Sequence, residues 1–192
     1  MAMEALRAKL MANTQFYPPD RMGQERKSQP PEPEEVQHFG SVEDIPVLTT
    51  FADRQRCADS GMHRPTQAGI WGSSEYGAYS IVMSGGYDDD DDEGNKIIYT
   101  GTGPANVDQD PHYRDNLSLK ISAETKNPVR VIRGAGHNGK RNNSPWAPAE
   151  GLRYDGLYVV TRAYIDKGKK GNKICRFELV RLPGQLKIPK RY

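Results

Sequence analysis

From residue 39 onward, apolar residues come in short runs interleaved with polar ones, the period of strands, broken repeatedly by glycine. In GAYSIVMSGGY (77–87), Tyr79, Ile81 and Met83 alternate with Ala78, Ser80 and Val82, which predicts a strand buried on both faces in places. KIIYTG (96–101) predicts a second strand, joined to the first as a long hairpin through an acidic loop carrying Gly94-Asn95. PVRVIRG (128–134) predicts a third. YDGLYVVTRAYI (154–165) and NKICRFELVRL (172–182) predict a hairpin across DKGKKG, with Cys175, Phe177 and Leu179 on one face and Arg176, Glu178 and Val180 on the other. NLSLKISAET (116–125) predicts a helix, with Leu117 and Ile121 four apart and Pro128 beyond its end. The sum is an α+β fold: a curved sheet closed into a barrel, with a few flanking helices.

The first 38 residues follow a different pattern. MEALRAKLMA places Leu6, Leu10 and Met11 at helical spacing, and QFYPPDRMGQERKSQPPEPEEVQ then breaks regular structure with prolines and charges. Residues 1–38 are therefore an arm and linker, partly helical or disordered, and 39–192 are one domain. Net charge is only +2, which excludes a histone-like polycation, but the six consecutive acids at 88–93 leave the remainder basic. Cys57 and Cys175 are far apart and neither belongs to a CxxC pair, so no disulfide framework or zinc-deaminase signature is present. With no apolar run of membrane-spanning length and no signal-peptide pattern, the expectation is an intracellular protein.

The candidate chemistry lies in SGGYDDDDDEGNKIIYTGTG (84–103), which sets Tyr87 and Tyr99 on either side of carboxylates, among glycines. Two flat π-faces and an acid are what a pocket needs to hold one planar, hydrogen-bonding ring, such as a nucleobase drawn out of a helix. Extrusion costs a few kcal/mol of stacking, and aromatic faces return about 1–3 kcal/mol per stacked base. A carboxylate suits the N4 amino group of cytosine and repels the O4 carbonyl of thymine. Glycine lets backbone N–H groups approach O2 and N3. A 5-methyl adds only about 0.8 kcal/mol by burial, so methyl selectivity needs a fitted wall.

Together with APAEGLRYDGLYVV (147–160) and its Tyr154-Asp155-Gly156 tripeptide, this segment resembles the SRA/YDG domain, a reader of 5-methylcytosine in DNA, over roughly residues 39–185. The resemblance implies a PUA-like barrel of the saddle-shaped SRA type. It assigns Tyr87 and Tyr99 to stacking, Asp90 to the base edge, the Thr100 main chain to the same edge, Gly85 and Gly86 to the backbone wall and Thr102 to the methyl group. GMHRPTQAGIWG (61–72) resembles the loop that enters DNA from the minor groove. Gln67 then plugs the gap left by the base, Gly69 lets the loop approach closely with Ala68 beside it as a further DNA-binding candidate, and Arg64 and Arg54 contact phosphates. The second finger of vertebrate relatives is reduced here to GPANV, with Asn106 its one polar candidate, which implies a relaxed sequence context. NLSLK, NPVRVIRG, YDGLYVV and RLPGQ look closest to the SRA domains of plant histone methyltransferases. The tripeptide itself reads as structural, an Asp-Gly turn ahead of a strand. Arg130, Arg133, Lys167, Lys169 and Lys170 are additional candidates for backbone contacts.

The implied function is a non-catalytic reader in the nucleus, without cofactor or metal. Its partner is methylated double-stranded DNA, with histone or chromatin proteins reached through the arm. Other readings stay open at this point. The acidic run is equally a solvated loop, whereas a calcium loop fails because Thr100 stands where the twelfth position needs glutamate. A glycosylase using Asp90 lacks a second group to activate water, and the wider barrel class includes RNA binders.

Overall fold

The strongly alternating segments become the centre of one sheet in a computed structural model that describes residues 38–104 and 106–191. The N-terminal arm expected at 1–38, with its Leu6, Leu10 and Met11 helix, lies outside the described residues except for His38. In chain order the elements are β1 (Thr50–Phe51), α1 (Arg54–Asp59), β2 (Ile70–Ser73), β3 (Gly77–Met83), β4 (Asp91–Asp92), β5 (Lys96–Thr100), α2 (Arg114–Thr125), β6 (Val129–Gly134), β7 (Gly136–His137), β8 (Lys140–Arg141), β9 (Leu152–Lys167) and β10 (Lys173–Arg181). The main sheet runs β2-β3-β6-β9-β10-β5-β4, with β1 also on β9, while β7 and β8 form a separate two-stranded ribbon. All pairings are antiparallel except β3 with β6. A parallel pair needs a crossover, and α2 lies on that crossover, packed against β2, β3 and β9.

Both faces of the sheet are covered, so alternate residues of one strand enter different cores. Ile81 of β3 and Val131 of β6 join Ile97, Leu119, Val129, Tyr158, Val160, Phe177 and Leu179. Their neighbours Val82 and Ile132 point the other way, into Phe51, Cys57, Met62, Leu152 and Tyr154. Each such fully buried apolar side chain contributes about 1.5–3 kcal/mol relative to exposure. The helix seam is different. Leu119 and Ile121 are its buried apolar residues, and Leu117, expected on that face, is only half-buried. The rest of the seam is small and polar: Ser122 Oγ accepts the Ala78 N–H at 2.8 Å and donates to the Ser118 carbonyl at 3.1 Å. A β-carbon on Gly72 would come within 2.6 Å of Ala78 Cα, so this close helix–sheet approach requires glycine.

Four expectations are corrected. The sheet is mixed and sheet-dominated as expected, but no ladder joins β2 to β4 among the described residues, so it is an open path and not a closed barrel. β3 and β5 are not hairpin partners: β2 and β6 take both edges of β3, and β5 pairs instead with β10 and with β4 inside the acidic run. The YDG tripeptide is not a turn ahead of a strand but lies within β9. There Asp155 and Gly156, the latter at φ 105°, face the single residue Val131 in a bulge. Arg130 and Arg133 are buried, not surface contacts. Arg130 donates to the carbonyls of His38, Gly40 and Met62.

The bulge serves Arg133. It turns the fully buried Asp155 carboxylate toward Arg133 Nη1 at 2.9 Å, and Arg153 Nη2 reaches the same oxygen at 2.9 Å. Arg133 also grips Asp92 through Nε at 2.9 Å and Nη2 at 2.7 Å. Burial works against charge on both partners. The paired hydrogen bonds outweigh it, holding the Asp92 carboxyl below the usual carboxylate range and the Arg133 guanidinium above its own. The acidic run is thus not a solvated loop. Asp92 locks it to the core, and Lys169, expected at the DNA backbone, donates its N–H to Asp89 and its ammonium to the Asp88 carbonyl.

Candidate nucleic-acid interface

A cavity of about 650 Å³ opens where the 66–69 loop, the segment between β3 and β4, β5 and the β7–β8 ribbon converge. Tyr87, Asp90 and Tyr99 all line it, with Gly86 on its backbone wall, Thr102 at one side and Arg54, Gln67, Ala68 and Gly69 around the rim. Four predicted residues do not line it: Gly85, Thr100, Arg64 and Asn106. Gly85 packs behind the wall, where its β-carbon would meet Asn142 at 3.1 Å. Arg64 is exposed, with its guanidinium 5.4 Å from the centre of the Trp71 ring. Asn106 is exposed at φ 62° on the short loop. The residues on either side of that loop are anchored to the body: Gln109 bonds Gly101 O and Cys175 N, and Asn116 bonds both the N–H and carbonyl of Thr102.

Tyr99 forms the buried wall, 3% exposed, with its hydroxyl 3.5 Å from the Val82 carbonyl. Burial first, then the neighbouring Asp90 and Tyr87, pushes its phenol well above the usual range, so it stays neutral. Tyr87 is half-buried nearer the mouth. A β-carbon on Gly69 would stand 2.7 Å from Tyr99 Oη, so glycine is required for the loop to pass over the ring.

Asp90 is positioned by Thr100, whose N–H donates to Oδ1 at 2.8 Å. The Thr100 main chain therefore orients the acid. Burial lifts the Asp90 carboxyl to about 7, against the Thr100 hydrogen bonds and the nearby Arg176 charge, which pull it down. At neutral pH the group divides between acid and carboxylate, where sequence reasoning takes it as ionised.

The rim loop is braced from behind. Arg54 donates to the carbonyls of Thr66 at 3.1 Å, Pro65 at 3.2 Å and Ala68. His63 donates from Nε2 to Ala68 O at 3.0 Å, while its Nδ1 accepts from Ser80 Oγ at 2.7 Å. Burial, with the Arg54 and Arg130 charges, lowers the His63 imidazole to about 3 despite its bond to Ala68, so it is neutral and structural. Gln67 stands exposed at the tip of this braced loop.

Sequence reasoning missed His137 and Asn138, which also line the cavity. A signal was present. Asn138-Gly139 is the preferred pair for a two-residue hairpin turn, and both adopt positive φ, 48° and 75°.

A cleft lined by two tyrosines, one acid and glycine-rich backbone is the kind of site that takes a single planar, polar ring. The chain belongs to the SAD/SRA domain family, whose model matches residues 38–185. It is 39% identical over 169 residues to the E3 ubiquitin-protein ligase UHRF1 of Bos taurus, covering 75% of this chain and 21% of that protein. Among solved structures, a modification-dependent TagI restriction endonuclease superposes with TM-score 0.69 at 38% identity, covering 76% of this chain and 52% of that one. The SUVH5 SRA domain in complex with hemimethylated CG DNA superposes with TM-score 0.67 at 37% identity, covering 79% of this chain and 98% of that one. The same SUVH5 domain has also been solved with methylated CHH DNA and with hydroxymethylated CG DNA. The chain spans between about a fifth and a half of the UHRF1-type relatives, at 21% and 48% of their lengths.

Proposed function

We propose that this domain binds methylated double-stranded DNA and holds a 5-methylcytosine, swung out of the duplex, between Tyr87 and Tyr99 with its amino edge on Asp90. The observation that carries the reading is that these three side chains, chosen from spacing and resemblance, line one cavity with Thr102 and Gly86. Gln67 on the braced rim loop fills the space left in the duplex, and the exposed Arg64 contacts a phosphate while Arg54 holds the loop from behind. The matched unit is nearly the whole of the DNA-bound SUVH5 chain but about half of the endonuclease and a fifth of the ligase. That supports a DNA-binding module with no catalysis of its own, at chromatin in the nucleus. The shortness of the segment between the anchored Thr102 and Gln109, and the range of DNA on which the SUVH5 domain has been solved, support a relaxed sequence context. Titration at fixed salt with unmethylated, hemimethylated and fully methylated duplexes, in CG and non-CG contexts, tests this. Methylated duplexes are expected to bind more tightly with little difference between contexts, and no free base is released. Equal affinity for every duplex removes the reading, and release of base replaces it with a glycosylase.

The acid form of Asp90 fits cytosine better than the carboxylate, offering an O–H donor for N3 beside a carbonyl acceptor for N4. Binding then takes up a proton whenever the free carboxyl is ionised. Affinity is expected to be flat below pH about 7 and to fall about tenfold per unit above it. Asp90→Asn, a fixed mimic of the acid, is expected to bind with no such pH dependence. Affinity that rises with pH in the unsubstituted chain contradicts this.

A further inference from the structure

The β7–β8 ribbon is an exposed hairpin that every residue from Gly136 to Arg141 leaves in solvent. A two-stranded ribbon with no core of its own is marginally stable in water. This one is pinned at its base. Ala135 N–H bonds Gly151 O at 2.9 Å, and Asn142 N–H bonds Ala135 O at 2.7 Å. Asn142 Nδ2 reaches Gly134 O at 3.0 Å and Met83 O at 3.3 Å. Its tip is a turn with two left-handed residues, and a β-carbon on Gly136 would lie 2.2 Å from Lys140 O, so the two strands are closely locked. Asn142 also packs under Gly85, behind the wall of the cavity, which joins the base of the ribbon to that wall. The result is a stiff prong standing at the cavity mouth.

The prong also carries charge where the mouth lacks it. His137 lines the cavity, and Lys140 is its direct cross-strand partner, on the same face of the ribbon. Arg141 follows. Arg54, the one arginine or lysine that lines the cavity among the described residues, is occupied with loop carbonyls, while Asp53 and Asp90 are acidic. A nucleotide entering this cavity brings flanking phosphates to the mouth.

We propose that the β7–β8 hairpin is a second grip on DNA, beside the Gln67 loop at the same cavity, in which Lys140 and Arg141 neutralise phosphates flanking the extruded nucleotide. This rests on the pocket reading above. The test is Lys140→Ala with Arg141→Ala, both exposed and outside the core, measured against methylated and unmethylated duplexes across a salt series. Each phosphate that is no longer neutralised lowers the slope of log affinity against log salt by about 0.9. The double variant is expected to lose about two in slope and about tenfold or more in affinity at low salt, while keeping the wild-type ratio between methylated and unmethylated DNA. A wild-type chain that discriminates, paired with a variant of unchanged slope and affinity, overturns the hairpin proposal alone. A wild-type chain that ignores the methyl group overturns the pocket reading instead.

Discussion

Replacing Asp155 with alanine is expected to cost about 3–5 kcal/mol of stability, because it leaves buried guanidinium charge without its partner. Asp155 and Arg133 are both fully buried, and Arg153 is nearly so. Arg133 would keep Asp92, Tyr158 and the Gly94 carbonyl, whereas Arg153 would keep only the Trp146 carbonyl among its described bonds. Urea unfolding measures the loss. A change below about 1 kcal/mol, the range of an exposed ion pair, would mean that the network is not the anchor described here. Its location ties the network to the site. Through Asp92 this network holds β4, two residues beyond Asp90, so the cluster that names the family braces the acid from within the core. Where the variant remains folded, its preference for methylated DNA is expected to survive, because Asp155 does not line the cavity.

Removing either tyrosine wall is expected to weaken binding to methylated DNA by about 1–3 kcal/mol, roughly 5- to 150-fold. Tyr87→Ala is the cleaner variant, since Tyr87 is half-buried at the mouth. Tyr99→Ala also opens a core cavity at a 3% exposed position, which carries a stability cost of about 3–5 kcal/mol. Tyr99→Phe separates the two effects. It keeps the face and gives up only a long hydrogen bond to Val82, so near-native affinity and stability are expected. If Tyr87→Ala bound as tightly as the unsubstituted chain, the stacking role would fall.

What could be read in advance followed from local rules. The β9–β10 hairpin and the α2 helix are written in alternation and spacing, and the Tyr87, Asp90 and Tyr99 set in a motif that stays compact in the chain. The remainder depends on long-range partners. Nothing in DDDDDE marks Asp92 as the one paired with a buried arginine, because its partner Arg133 is 41 residues away. The β3–β5 pairing failed for a similar reason: hairpin rules favour neighbours in sequence, whereas both edges of β3 were taken by β2 and by the parallel β6. α1 was missed because it is six residues long with one buried side chain, Cys57, too few for a period. The β7–β8 prong was legible in Asn138-Gly139, but its polar surroundings carry no hydrophobic alternation to draw attention to it.

The most direct measurement is a crystal structure of this domain with a duplex containing one 5-methylcytosine. The account predicts that ring lying flat between Tyr87 and Tyr99, its amino edge on Asp90 and Gln67 occupying the vacated place in the stack. A bound duplex with every base still paired, and the cleft between the two phenols empty, would contradict it.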